Sequence, residues 1–120
     1  MILLDSNILI YSAQAAYAYL RPLVSDPSHQ ISSFTMLEVL GFPSLTAIDK
    51  AYFQSAFDIL DVKEIALPII NQAILLRQTR KMSPGDALIA ATALVFGSEL
   101  YTRNISDFNW INGLTVVNPV

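Results

Sequence analysis

Ten Asp and Glu side chains are spread through 120 residues, and four of them stand where a solvated surface charge is not expected. Asp5 directly follows the apolar run Ile2-Leu3-Leu4, and Asp86 follows Ser83-Pro84-Gly85. Asp107 lies in the stretch after Leu100-Tyr101, and Glu38 is the only acid or base between Asp26 and Asp49 apart from the single His29. Local roles exist for three of them. Asp5 is a suitable N-cap for a following helix, Asp86 at the third position of a helix suits the dipole, and Asp107 can shape a turn. Glu38 sits within Phe34-Thr35-Met36-Leu37-Glu38-Val39-Leu40, where an unpaired buried carboxylate costs several kcal/mol; it is expected to need a cation, with Arg103 or Lys81 as candidates. If all four acids share one site, a pair about 4 Å apart repels by about 4 kcal/mol at an effective dielectric near 20. A divalent metal offsets that repulsion, so the pattern leaves two readings open: caps and ion pairs, or an Mg²⁺ or Mn²⁺ centre.

The missing residue types narrow the chemistry further. There is no Cys and only one His, which removes thiol nucleophiles, cysteine zinc sites, iron-sulfur clusters and paired-histidine acid/base mechanisms. A bound metal must be held by oxygen, which favours Mg²⁺ or Mn²⁺. The four glycines form neither GxGxxG nor GxxxxGK[ST], so no glycine loop cradles a nucleotide.

The elements that must position these acids follow from periodicity and punctuation. Residues 2–4 read as a buried strand and 7–20 as one helix, apolar all round. Arg21-Pro22 and Ser25-Asp26-Pro27-Ser28 break the chain, residues 30–33 form a short strand and 35–40 a helix stopped by Gly41-Phe42-Pro43. Ser44 or Thr46 caps an amphipathic helix to about residue 60, residues 62–65 read as strand, and 67–80 as helix. Ser83 at N-cap, Pro84 at the first position and Asp86 at the third open a helix that Gly97 ends. Residues 100–101 and 115–117 read as the last strands, joined by a loop over 103–113. Alternating strands and helices imply right-handed crossovers and a parallel sheet covered on both faces, with ligands beyond the carboxyl ends of the strands. His29 reads as a loop residue, and Tyr52, Phe53 and Phe57 at helical spacing as core or interface rather than as base-stacking platforms.

Composition bounds the rest. A length of 120 residues suits a single domain over 1–120. Hydrophobic residues make up 53% and charged ones 14%, against roughly 25% charged in an average soluble domain. This excludes disorder and leaves apolar surface for a partner. The net charge of −3 speaks against a broad basic face without excluding chemistry on nucleic acid. Residues 1–4 lack the basic flank of a signal peptide and are expected to stay in the folded protein. The longest apolar helical stretch, 87–96, falls short of the ~20 residues that span a bilayer, so no membrane association and a cytoplasmic location are expected.

Three ordered blocks, MILLDSNILIY at 1–11, SPGDALIAATAL at 83–94, and YTRNISDF at 101–108 with GLTVVNP at 113–119, resemble the PIN-domain family, specifically the small VapC-type toxin ribonucleases. The resemblance covers nearly the whole chain and is weaker around Glu38. It implies an α/β fold, a three-layer α/β/α sandwich with a central parallel sheet, and hydrolysis of RNA at an acidic Mg²⁺ or Mn²⁺ pocket. It also implies a small antitoxin partner; a homodimer is expected from the surplus apolar surface. Asp5, Glu38 and Asp86 match the three principal acids of the family. The fourth falls at Asn104 in some members and three residues later in others, where Asp107 stands; Asp107 is taken as the fourth acid and Asn104 as its polar neighbour. Asn7 matches the position that orients a metal-bound water. Arg80, Lys81 and Arg103, with Arg77, are candidates for RNA-backbone contacts, although for Arg77, Arg80 and Lys81 charge complementarity at a helix end is the simpler role.

Two other readings stand beside this one. Asp5 and Gly85-Asp86 loosely resemble a phosphoaspartyl phosphatase of the haloacid dehalogenase type, but Asn7 stands where that family has its second Asp, and Ala90 occupies the region of its later acid. A receiver domain of similar length normally has adjacent acids after its first strand and a lysine where Arg103 lies. A catalytically idle PIN-like module that binds RNA or protein is the alternative outside enzymes.

Overall fold

The computed structural model describes residues 1–120. Five short parallel strands form one sheet: β1 (Ile2–Leu4), β2 (Gln30–Ser32), β3 (Asp61–Lys63), β4 (Glu99–Tyr101) and β5 (Val116–Val117), in the order β3-β2-β1-β4-β5. The helices are α1 (Ser6–Ser12), α2 (Arg21–Val24), α3 (Ser33–Leu40), α4 (Ala47–Ile59), α5 (Leu67–Thr79), α6 (Pro84–Phe96) and α7 (Ile105–Phe108). A 3-10 segment, Ala15–Leu20, lies between α1 and α2.

Because successive strand side chains point to opposite faces, β1 feeds two cores. Leu3 joins the buried side chains of α5 and α6, including Ile69, Leu76 and Ile89, and Leu100 of β4. Leu4 joins Ile8 and Leu9 of α1, Ile31 of β2, and Phe53 and Phe57 of α4. The expected three-layer α/β/α sandwich is thereby present. Phe53 and Phe57 are core, as expected, and half-buried Tyr52 shares a 2.9 Å hydrogen bond with Ser12.

Two contacts fix the helix that carries Asp86. Ser83 Oγ accepts the Asp86 N–H at 3.1 Å, with Pro84 in the first turn where no N–H is required. At the other end Gly97, at φ 64°, takes the left-handed conformation that closes α6. A Cβ on Gly85 would lie 2.9 Å from Phe34 Cε2, so the glycine lets α6 approach α3 closely.

Four sequence expectations change. The single helix over 7–20 divides, because α1 stops at Ser12 and Gln14 is extended. Ser12 Oγ folds back onto the Leu9 carbonyl at 2.6 Å, and Arg21 Nε caps the Ser12 carbonyl at 3.0 Å, so the divided backbone keeps its hydrogen bonds. Arg21-Pro22 opens α2 rather than breaking the chain, since proline is compatible with a first turn. The loop over 103–113 contains α7. The third strand, Asp61–Lys63, starts one residue and ends two residues earlier than expected, and of the alternative caps for α4 it is Thr46 that accepts the Asp49 N–H. No helix is long and apolar enough to cross a membrane.

Candidate metal centre

From β1 the chain leads to β2 on one side, while β4 pairs on the other. This is the switch point at which open parallel sheets bind ligands. Asp5 follows β1 and Thr102 follows β4. Thr102 Oγ1 donates to Asp5 Oδ2 at 2.8 Å, and the Ser6 N–H donates to Asp5 Oδ1 at 2.7 Å. Asp5 is therefore an N-cap that also stands at the switch point, so the local role does not exclude the functional one.

Burial raises the Asp5 pKa to about 6, against the two hydrogen bonds, which lower it, and with added repulsion from Asp86 and Glu38. Desolvation also raises the pKa of half-buried Asp86, followed by repulsion from Asp107; the Ser83 hydrogen bond opposes this and Glu38 adds to it. The four acids thus share one electrostatic field. The ion pairs of the molecule, Lys63–Asp61 at 3.0 Å and His29–Asp26 at 3.5 Å, involve none of them.

Glu38 corrects an expectation. It is exposed rather than buried and has no cation partner. Its apolar sequence neighbours are not a pocket: α3 buries Thr35 and Val39, while Leu37 is 71% exposed. Glu38 is instead held by Ser6 Oγ, which donates to Oε1 at 2.7 Å and is itself 2.9 Å from Thr35 Oγ1. Since Ser6 has one hydroxyl proton, Thr35 is the donor to Ser6. Ser6 therefore spans two acids, with its amide on Asp5 and its hydroxyl on Glu38.

Asn7 Nδ2 donates to Thr102 Oγ1 at 3.4 Å, and Asn7 Oδ1 accepts the Arg103 N–H at 3.4 Å. Asn104 begins α7, and its N–H is bound by Thr102 Oγ1 at 3.0 Å; Asp107 lies exposed in the turn that follows. Nothing in the sequence marked Ser6, Thr35 and Thr102, because hydroxyls carry no periodicity and act here between elements 29 and 97 residues apart.

A groove of about 550 Å³ joins Asp86 and Asp107 to the basic end of α5. Its lining includes Arg77, Arg80, Lys81, Asp86, Asp107 and Trp110. Arg77 Nε donates to the Met82 carbonyl at 3.2 Å, and the Arg80 guanidinium lies 5.2 Å from the Trp110 ring centre. His29, as expected, is a loop residue, with Nδ1 2.8 Å from the Leu23 carbonyl oxygen.

The donor set fits a hard divalent cation, being four carboxylates without a counter-cation and without sulfur or imidazole. No three of them converge closely enough to enclose an ion unaided. Glu38 and Asp107 are the exposed pair among them, Glu38 being held by Ser6.

Residues 2–109 match the model of the PIN domain. The chain belongs to the PIN-domain family. Among solved structures, this PIN domain is similar to a chain of a toxin-antitoxin complex from Klebsiella pneumoniae, at 31% identity and TM-score 0.80, covering 100% of this chain and 98% of the other. It shares its fold with a chain of DNA-bound VapBC from Salmonella typhimurium, at 22% identity, TM-score 0.81 and coverage of 98% and 96%. FitAcB from Neisseria gonorrhoeae contains a further fold relative, at 24% identity, TM-score 0.77 and coverage of 99% and 98%. No curated protein sequence matches the chain. The resemblance to VapC-type toxins seen in the sequence is thereby supported, and PIN domains are a family of nucleases.

Proposed function

We propose that this PIN domain is an Mg²⁺- or Mn²⁺-dependent endoribonuclease and the toxin of a toxin-antitoxin pair. The observation that carries the reading is the gathering of Asp5, Glu38, Asp86 and Asp107 in one field at the sheet's switch point, without a cation among them. A divalent ion supplies an ionisable water at neutral pH and neutralises charge on the scissile phosphate. The four carboxylates would hold that ion. Glu38 Oε2 accepts no protein hydrogen bond while Oε1 is fixed by Ser6, so Oε2 is available to take a proton from the attacking water. The Asn7 amide orients water, Asn104 supports the same end of β4, and Arg103, Lys81 and Arg80 bind backbone phosphates.

The antitoxin reading is supported by the Klebsiella relative, described as part of a toxin-antitoxin complex. It is also supported by an apolar groove of about 280 Å³ beside Glu38, lined by Ile10, Val39, Phe42, Leu45 and Phe53. A second copy would cover α5 and α6, where Leu67 and Ile74 are exposed beside a groove that includes Ile70 and Leu88.

The test is cleavage of RNA by the purified protein with Mn²⁺ or with EDTA, followed by analysis of the ends. Metal-dependent cleavage leaving 5′-phosphate and 3′-hydroxyl ends is expected. Cleavage that persists in EDTA, or 2′,3′-cyclic phosphate as primary product, contradicts the mechanism; RNA binding without cleavage assigns the chain to the idle-module alternative.

A further inference from the structure

The division of the first helix has a consequence at the surface. In a continuous α-helix, residues 17 and 19 would point about 200° apart. Here the backbone leaves helical geometry at Tyr17 (φ −114°, ψ 23°) within the 3-10 segment, and the Tyr17 and Tyr19 ring centres lie 6.2 Å apart. Tyr17 also lies 4.8 Å from the Tyr11 ring at a tilt of 59°. Tyr19 is 59% exposed, and the exposed neighbours Ala15, Ala16 and Ala18 are too small to cover the rings.

This aromatic surface is continuous with the acidic site. The Arg103 guanidinium lies 4.9 Å from the Tyr11 ring centre and donates through Nη1 to Tyr11 Oη. The backbone N–H of Arg103 is held by Asn7, Asn7 donates to Thr102, and Thr102 donates to Asp5. A path of contacts thus runs from a buried carboxylate through a guanidinium and half-buried Tyr11 and Tyr17 to exposed Tyr19. The surface differs in kind from the aliphatic patches elsewhere, such as Leu37 and Ile48. Aromatic faces beside a cation match a nucleic-acid strand, whose bases stack while its phosphates meet the positive charge.

The geometry points to Tyr17 and Tyr19 as a stacking subsite for unpaired RNA bases flanking the scissile phosphate, with Arg103 on the phosphate between them and the acids. The subsite rests on the nuclease reading above. It selects single-stranded segments or loops, because paired bases cannot present their faces to a ring.

The experiment compares steady-state cleavage of a single-stranded oligoribonucleotide by the wild type, Tyr17→Ala, Tyr19→Ala and Tyr19→Trp, with Phe96→Ala as a remote exposed aromatic control. For each alanine variant at the subsite KM is expected to rise about tenfold, within the range for losing one base stack, with kcat within about twofold. Tyr19→Trp restores the wild-type KM. Introducing an abasic position next to the cleavage site raises KM for the wild type but adds little for Tyr19→Ala. Unchanged KM in both alanine variants, a loss confined to kcat, or an equal loss in Phe96→Ala overturns the subsite while the nuclease reading stands. Unchanged KM with weakened self-association assigns the tyrosines to a second copy of the chain and also overturns it. A wild type that cuts no RNA overturns the reading beneath.

Discussion

Asp5 illustrates how one residue serves two ends at different cost. As a cap it satisfies the Ser6 amide, yet burial and neighbouring acids raise its pKa from 3.8 to about 6. Without metal, the folded state therefore holds its proton to higher pH than the unfolded chain. The stabilisation is complete below pH ~4 and is lost as pH rises through about 6, an effect of about 3 kcal/mol if expressed in full. The melting temperature of the metal-free protein should accordingly fall between pH 4 and 7, and Asp5→Asn should flatten that dependence; an unchanged slope in the variant would refute the assignment. At Asp86 the repulsion from Asp107 and Glu38 implies that Asp86→Asn raises the melting temperature of the metal-free protein at pH 7. Saturating Mn²⁺ at 100 times its dissociation constant should stabilise the wild type by about 2.7 kcal/mol, a response that Asp86→Asn blunts and Asp26→Asn leaves intact. Thermal melts with and without Mn²⁺ separate these outcomes: a destabilised Asp86→Asn with full metal response would make Asp86 a helix-end residue only. The acids were legible in the sequence by type and position. Ser6, Thr35 and Thr102 were not, because their roles exist only once α1, α3 and β4 meet.

At the scale of elements, the site depends on how closely α3 and α6 approach, since Glu38 and Asp86 ride on them. Phe34 against Gly85 sets that distance. Gly85→Ala should destabilise the fold by about 1–3 kcal/mol through overpacking against the ring and lower metal-dependent cleavage; Phe34→Leu in the same chain should restore part of both. Denaturant melts and cleavage rates of the single and double variants check this, and additive effects would show that the contact is not shared. The α6 start and stop were readable because Ser83, Pro84 and Gly97 act locally. The end of α1 was not, since alanine and leucine continue past it and the arginine that binds the Ser12 carbonyl comes nine residues later. The same distinction explains Glu38: sequence neighbours suggested burial, but which side of α3 faces outward is decided by what α1 and α4 cover.

The whole molecule places residues 5, 38, 86 and 107, drawn from both halves of the chain, in one electrostatic field, through a sheet whose central strand pairs with β2 and β4. The alternating pattern and short strands made that architecture readable, because a parallel sheet covered on both faces needs apolar runs bounded by helices. How its outer faces are covered is a property of the assembly. Light scattering is expected to show a dimer that Ile74→Lys converts to monomer, since a charge on the exposed α5 face opposes apolar contact; a wild-type monomer would remove the dimer from the account. The central claim, that four carboxylates from separate elements form one cation site, is tested most directly by calorimetric titration of Mn²⁺ into the metal-free protein. The wild type should bind Mn²⁺ and release heat that Asp5→Asn and Asp86→Asn each abolish or weaken at least tenfold, with both variants still folded. A folded wild type that binds no Mn²⁺, or variants that bind it as tightly, would contradict the claim.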